Sequence, residues 1–260
     1  MQAAKESTGL LSSESWSASS RRAFTLIELL ISMVILSIFL FFAYELFIGG
    51  SKTASKSQWI SSAIDQLRNG TAFLNKELKS TSYPTTLLAD TILDPCSNND
   101  PKIAEAFFVK IKEVNKKIEA PDSGKILLMS WVVCQPEKVP NPGKITHNNL
   151  WLSRKSGGLQ KAGELKIEQK SYTFKTDAAS QYAKSGKLAE TKDPSKKDSE
   201  RTLVTDVQSV KFMVMPPYPT NAAQPPSPIS IQIRCQYPKD GKVFKENSIM
   251  ITPNVGIKAL

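Results

Sequence analysis

Cysteine and histidine are scarce in this chain. Cys96, Cys134 and Cys235 form no C-x-x-C pair, and His147 is the single histidine. A closed zinc site takes about four such ligands at short spacings, so no metal is expected. Catalytic signatures are missing too: there is no G-x-S-x-G, no P-loop and no H-E-x-x-H. His147 lies in "PGKITHNNL", a turn-like stretch with no visible partner for a general base, and reads as a surface or hairpin residue. Asp198 and Glu200 fall in a polar stretch and read as solvated charge. No catalytic residue, no cofactor and no enzymatic activity are expected. Acids are in deficit as well, 24 against 34 basic residues, for a formal charge of +10. Such a surplus favours acidic partners: lipid headgroups, nucleic acid or an acidic protein face. The lysines are scattered and no basic run carries interleaved aromatics, so nucleic acid is not expected among the partners.

What the chain does have is one long apolar run. Its 260 residues suit one ordinary domain with an appendage, or two small domains, and 40% hydrophobic with 22% charged residues is normal for a folded protein. "RRAFTLIELLISMVILSIFLFFAYELFIGG" occupies residues 21–50, and from Phe24 to Ile48 the only charges are Glu28 and Glu45. As a helix this stretch is about 37 Å long, enough to cross a hydrocarbon core of about 30 Å. One reading is a signal anchor: "SSRR" supplies the cytoplasmic positive charge and the remainder is translocated. A second is a twin-arginine export signal, since "SRRAF" fits its start. A cleavable signal, however, has an apolar core of about 7–15 residues and then a small-x-small cleavage site. Here the run is longer and continues into "ELFIGGSKTASKS".

Neither reading accounts for Glu28, a carboxylate that is costly in a bilayer. An intramembrane acid is expected to be paired and functional, although a position one turn into the span also allows it to reach the headgroups. "AFTLIELLISMVILSIF" resembles the type IV prepilin signal, which a peptidase cuts on the cytoplasmic side, before the apolar run. The family pattern is a small residue, usually Gly, then Phe, Thr, Leu, Ile or Val, and Glu. Here it is Ala23, Phe24, Thr25, Leu26, Ile27 and Glu28, with Ala23 the one departure. The resemblance implies cleavage between Ala23 and Phe24 and N-methylation of Phe24. It also implies pairing of Glu28 with the new terminal amine, its own or a neighbour's, during assembly. Residues 1–23 are then a Ser-rich cytoplasmic leader to be set aside from the fold, and residues 24–50 the transmembrane half of an N-terminal helix.

Gly49-Gly50 reads as a flexible point in this helix rather than its end, because two glycines cost about 2 kcal/mol relative to alanine. Beyond it, Ile60, Ile64, Leu67, Thr71, Leu74 and Leu78 recur at helical spacing and predict an amphipathic half over 51–82, with Ile64, Leu67 and Leu74 buried against a sheet. Pro84 stops it by disfavouring helix at Tyr83. Residues 83–260 read as a β-rich domain. "IAEAFFVKIKEV" alternates at Phe108, Lys110 and Lys112. "KILLMSWVVC" is apolar on both faces, as a central strand is. "NNLWLSRKSGGLQKA" predicts a hairpin about Ser156, Gly157 and Gly158. "GELKIEQKSYTFKT", "TLVTDVQSVKFMVM" and "PISIQIRCQY" are further strands, and the last puts Ile229, Ile231, Ile233 and Cys235 on one face. Residues 177–201 read as a polar insert, a surface loop. "MPPYPTNAAQPPSP" reads as a stiff connection rather than a polyproline ligand.

The fold expected is α+β and pilin-like: a long N-terminal helix, half in the membrane and half packed on an antiparallel sheet. Residues 149–236 further resemble the PilW-type minor pilins and the J-type pseudopilins of type II secretion, with the polar insert as a departure. The resemblance implies a minor structural subunit that helps initiate or cap a pilus or pseudopilus. Its partners would be the prepilin peptidase, other minor and major pilins or pseudopilins, an inner-membrane assembly platform and membrane lipid. It would sit in the inner membrane with its C-terminal domain in the periplasm, and then in the filament. A tip adhesin or DNA-uptake subunit is a compatible alternative. A membrane-anchored periplasmic enzyme is a separate one, without motif support. In an oxidising compartment an exposed thiol tends to pair. Three cysteines allow three single pairings, and Cys96 with Cys134 is the one expected, leaving Cys235 buried.

Overall fold

A computed structural model of the chain describes residues 25–82, 107–135, 144–154, 162–174, 190–192, 198–215 and 227–260. Several positions singled out above lie outside them: the leader with Ala23 and Phe24, Pro84, Cys96, the hairpin tip at 156–158, residues 216–226 and most of the insert. The chain forms two compact units, Met1–Thr53 and Ala54–Leu260.

In the first unit the described structure is the opening of helix α1 (Leu26–Lys79). Leucine, isoleucine and phenylalanine dominate, no proline interrupts, and Thr25 caps the first turn. The helix is unbroken at Gly49 and Gly50. The glycine penalty is met by long helical segments on either side, which remove the need for a new nucleus. An alanine methyl at either glycine would touch nothing within 4 Å.

In the second unit the later part of α1 lies on a sheet. Its buried face is Ala63, Leu67, Gly70, Thr71, Leu74 and Leu78. This corrects the expected stripe at one position: Ile64 is 40% exposed and Ala63 takes its place. The reason is close approach. A Cβ on Gly70 would stand 2.8 Å from Val204 Cγ2, so the helix sits too near the sheet for a large residue on that line. Alanine and glycine carry little apolar signal, and Ile64, one step around the helix, stood out instead.

The described strands are β1 (Val109–Ile111), β2 (Lys117–Glu119), β3 (Lys125–Gln135), β4 (Lys144–Arg154), β5 (Gly163–Phe174), β6 (Glu190–Lys192), β7 (Ser199–Val214), β8 (Ile229–Gln236), β9 (Phe244–Ile251) and β10 (Ile257–Ala259). They form one sheet in the order β10-β1-β3-β4-β5-β7-β8-β9, with β2 paired to β7 and β6 to β5. Only β1 and β10 run parallel. The arrangement is α+β and pilin-like, a long N-terminal helix packed on a curled, mostly antiparallel sheet. Leu67, Leu74 and Leu78 share one core with Trp131, Leu150, Val204, Phe212 and Ile231.

Polar contacts fix the helix over this core. Gln66 Oε1 accepts from both the backbone N and the hydroxyl of Thr205, each at 2.9 Å. Asn247 Nδ2 donates to Thr71 Oγ1 at 3.0 Å, and Trp59 Nε1 donates to Asp206 Oδ2 at 3.0 Å. At the last turn Asn254 Nδ2 donates to Lys79 O at 2.6 Å. The first three sites are partly buried, where an unpaired polar group would be costly; the last closes the exposed end of the helix.

Two local readings change. His147 is not in a turn: it sits inside β4, opposite Val132 and Lys170. The asparagines and Pro-Gly around it suggested a turn, but Ile145, Leu150 and Leu152 are fully buried and carry the strand. Within the insert, residues 190–192 form β6 and Ser199–Arg201 already belong to β7. Their polar side chains hid a strand held by backbone pairing to β5.

Candidate functional site

The start of α1 carries the chemistry that its sequence announces. Thr25 is the N-cap: its carbonyl accepts the first helical bond, from Leu29 N at 3.2 Å. Its hydroxyl accepts from Glu28 N at 3.3 Å. In return Glu28 Oε2 accepts from Thr25 N at 2.9 Å and from Thr25 Oγ1 at 3.0 Å. This is a capping box, in which N-cap and third helical residue satisfy each other's orphan amides. Its signature, Thr-x-x-Glu ahead of an apolar run, is legible in "TLIE". Attention to the charge of Glu28 alone passes over it. The carboxylate also lies at the positive end of the helix dipole. Oε2 is the oxygen that caps the helix, and among the described residues none donates to Oε1.

Beyond the cap the helix is apolar on every side. An eighteen-residue window has a mean hydropathy of 2.7 and none of it is buried within the chain. Leu29, Val34, Leu36, Phe39 and Phe42 are all exposed. A helix apolar all round requires an apolar surrounding, and this one is long enough to cross a membrane. Ala23 and Phe24, the expected processing residues, lie outside the described residues.

The second unit offers no catalytic constellation in its described recesses. The one holding His147, about 630 Å³, is lined by Phe108, Lys110, Ser130, Lys170 and Tyr172 among others, without a carboxylate or a thiol. His147 meets the Tyr172 ring edge-on at 5.2 Å, a packing contact. A second recess, about 620 Å³, is lined by Lys76, Glu77, Ser80, Cys134, Thr146 and Gln169 with their neighbours, and it holds one carboxylate and one thiol but no histidine. Burial raises the Glu77 pKa there, against the opposing charges of Lys76 and Arg201. Among the described residues no group of three His, Cys, Asp or Glu could hold a metal ion.

The remaining candidates are thiols. Cys134 is half-buried near the end of β3, and Cys96 lies outside the described residues. Cys235 is fully buried beside Ile229, Ile231 and Ile233. Desolvation, and secondarily the charge of Asp206, push its pKa up to about 12. It packs as a small apolar residue rather than as a nucleophile.

Residues 18–44 match the family model of the prokaryotic N-terminal methylation motif. No curated protein and no solved structure matches the chain. The matched segment holds Ala23, Phe24, Thr25, Glu28 and most of the apolar run. It supports a prepilin-type signal of the type IV pilin and pseudopilin superfamily, with processing by prepilin peptidase, single-pass membrane anchoring and assembly with other pilins. It points to a structural subunit rather than an enzyme.

Proposed function

We propose that the chain is a minor pilin or pseudopilin, a structural subunit that helps initiate or cap a type IV pilus or a type II secretion pseudopilus. The observation that carries this reading is the methylation motif at 18–44 set on a helix whose later part packs on a sheet. The peptidase cuts between Ala23 and Phe24, Phe24 is methylated, and the globular unit faces the periplasm. The likeness of residues 149–236 to PilW-type pilins and J-type pseudopilins supports the minor role.

Assembly turns on Glu28. The amine freed at Phe24 is cationic near neutral pH. In a low-dielectric helix bundle a carboxylate and an amine left apart are costly, and together they favour one register. The capping box lets Glu28 hold its own helix end through Oε2 while Oε1 receives a neighbour's amine. The test compares membrane-bound with filament-bound protein for the wild type and Glu28→Leu. Reduced incorporation with normal membrane insertion supports the role, and equal incorporation removes it. We also propose a Cys96–Cys134 disulfide, which non-reducing peptide mapping would detect. Linkage of Cys235 to either cysteine would overturn it.

A further inference from the structure

The sheet ends differently at its two edges. At one end β10 has three residues and runs parallel to β1. At the other, β9 has eight residues, paired to β8 along its whole length with no shift of register. Proteins commonly blunt an edge strand by shortening it, bulging it or placing proline on it. β9 carries none of these three; the charges of Lys245 and Glu246 are the one edge device it has.

The register shows which backbone groups are open. Tyr237 N donates to Val243 O at 2.8 Å, which makes that opposed pair a hydrogen-bonded one. Hydrogen-bonded and non-hydrogen-bonded pairs alternate along an antiparallel ladder. Lys245, Asn247, Ile249 and Ile251 therefore turn their N–H and C=O groups toward β8. Phe244, Glu246, Ser248 and Met250 turn theirs outward, and no described residue pairs with them. The same four side chains lie on the sheet face away from α1, with Phe244 and Met250 exposed.

The chemistry beside this edge is cationic. Arg234 lies over the Phe244 ring with its guanidinium 3.8 Å from the centroid, which carries a charge from β8 out onto the edge strand. Its Nε is buried without an acceptor. Behind it, a recess of about 440 Å³ is lined by Lys117, Lys211 and Arg234, with Glu246 its one carboxylate; Lys117 also pairs with Glu119 at 3.1 Å, which leaves Lys211 and Arg234 as its main cations. Glu246 accepts a hydrogen bond from Gln232 Nε2. Lys239 and Lys242 follow in the β8–β9 turn with one acid, Asp240, between them.

We infer that the free edge of β9 takes up an extended acidic polypeptide segment as an added strand. The outward N–H and C=O groups of Phe244, Glu246, Ser248 and Met250 supply main-chain bonds, and alternate side chains supply selectivity. An acid on the incoming strand beside Phe244 meets the Arg234 guanidinium in an ion-paired hydrogen bond that Lys cannot make and that a neutral acceptor makes only more weakly. A second copy is the poorer occupant: two-fold pairing of β9 with itself sets the cationic recesses of both copies side by side. The inference concerns the globular unit and stands apart from N-terminal processing.

The experiment uses the full chain in detergent micelles and a fluorescent peptide of alternating glutamate and valine, matched to β9 in length. Anisotropy should show saturable binding, with none for the lysine–valine counterpart. N-methylation of alternate peptide amides should weaken binding about tenfold or more, as loss of main-chain bonds requires. Ser248→Pro should do the same, since proline removes an outward donor that the sheet itself does not use. Arg234→Gln should weaken the acidic peptide several-fold. The inference fails if the acidic peptide does not saturate, if the basic one binds equally, or if the N-methylated peptide is unimpaired, an arm that needs no altered protein. Self-association of the chain that Ser248→Pro abolishes would give the edge to a second copy and also overturn it.

Discussion

Thr25 donates from its backbone N and its hydroxyl to a single oxygen of Glu28, at 2.9 and 3.0 Å. Glu28 therefore has two separable properties, a hydrogen-bonding shape that caps the helix and a charge that can meet an amine. Glutamine retains the shape, because Gln also serves in a capping box. Glu28→Gln should leave amide exchange in the first turn near that of the wild type while reducing incorporation into filaments. Thr25→Val should do the reverse, loosening the first turn by about 0.5–2 kcal/mol, seen as faster exchange at Glu28 and its neighbours. If Glu28→Gln assembles normally, capping alone explains the residue.

The helix–sheet contact predicts a contrast between adjacent positions. Leu74 is fully buried, and Leu74→Ala should cost about 2–5 kcal/mol. Ile64→Ser, at an exposed site, should stay within about 0.5 kcal/mol. Gly70→Leu has no room against Val204 and should cost about 1–3 kcal/mol or more. Denaturant midpoints of the three variants check the order, and a large loss at Ile64 would mean that the buried face is misassigned.

How much of this was legible from residues alone follows from what each element uses to hold itself. The apolar run, the α1 stripe at Leu67, Leu74 and Leu78, and the strands around Trp131, Val204 and Ile231 announce themselves through large apolar side chains at a fixed period. The N-terminal signal is legible for the same reason, as its information is local. Positions held by something other than apolar bulk were not legible. Ala63 and Gly70 act through smallness. β6 and the polar start of β7 are held by backbone pairing, and around His147 the asparagines and Pro-Gly hid a strand that Ile145, Leu150 and Leu152 carry. β9 begins Phe-Lys-Glu-Asn-Ser, with polar residues on both faces, and only its pairing with β8 makes it a strand. The capping box was present in four letters, yet only the geometry separates it from the charge role of Glu28.

Glu77 gives a pH prediction. Burial raises its folded pKa above the unfolded value, so the folded state holds the proton more tightly. This group adds stability as pH falls through its folded pKa toward the unfolded one, and withdraws it as pH rises again. Glu77→Gln should remove that component. The melting temperature of the variant should exceed that of the wild type near neutral pH, and the difference should shrink toward about pH 4. A difference that does not vary with pH would contradict the assignment.

Cys235 should be chemically silent while the protein is folded. With its pKa pushed up to about 12 and its side chain buried, it presents almost no thiolate at pH 8. Alkylation with iodoacetamide should leave Cys235 unmodified in the native chain and label it after denaturation. Rapid labelling of the native protein would show that the core around Ile231 and Ile233 opens.

The processing of the N-terminus bears most directly on what the chain is. Co-expression with a prepilin peptidase, followed by N-terminal sequencing and intact mass of the membrane-bound protein, reads it in one step. The account predicts a mature chain that begins at Phe24, carries an added methyl group on that amine and retains Glu28. A chain that still begins at Met1, or one cut after residue 43, would contradict it.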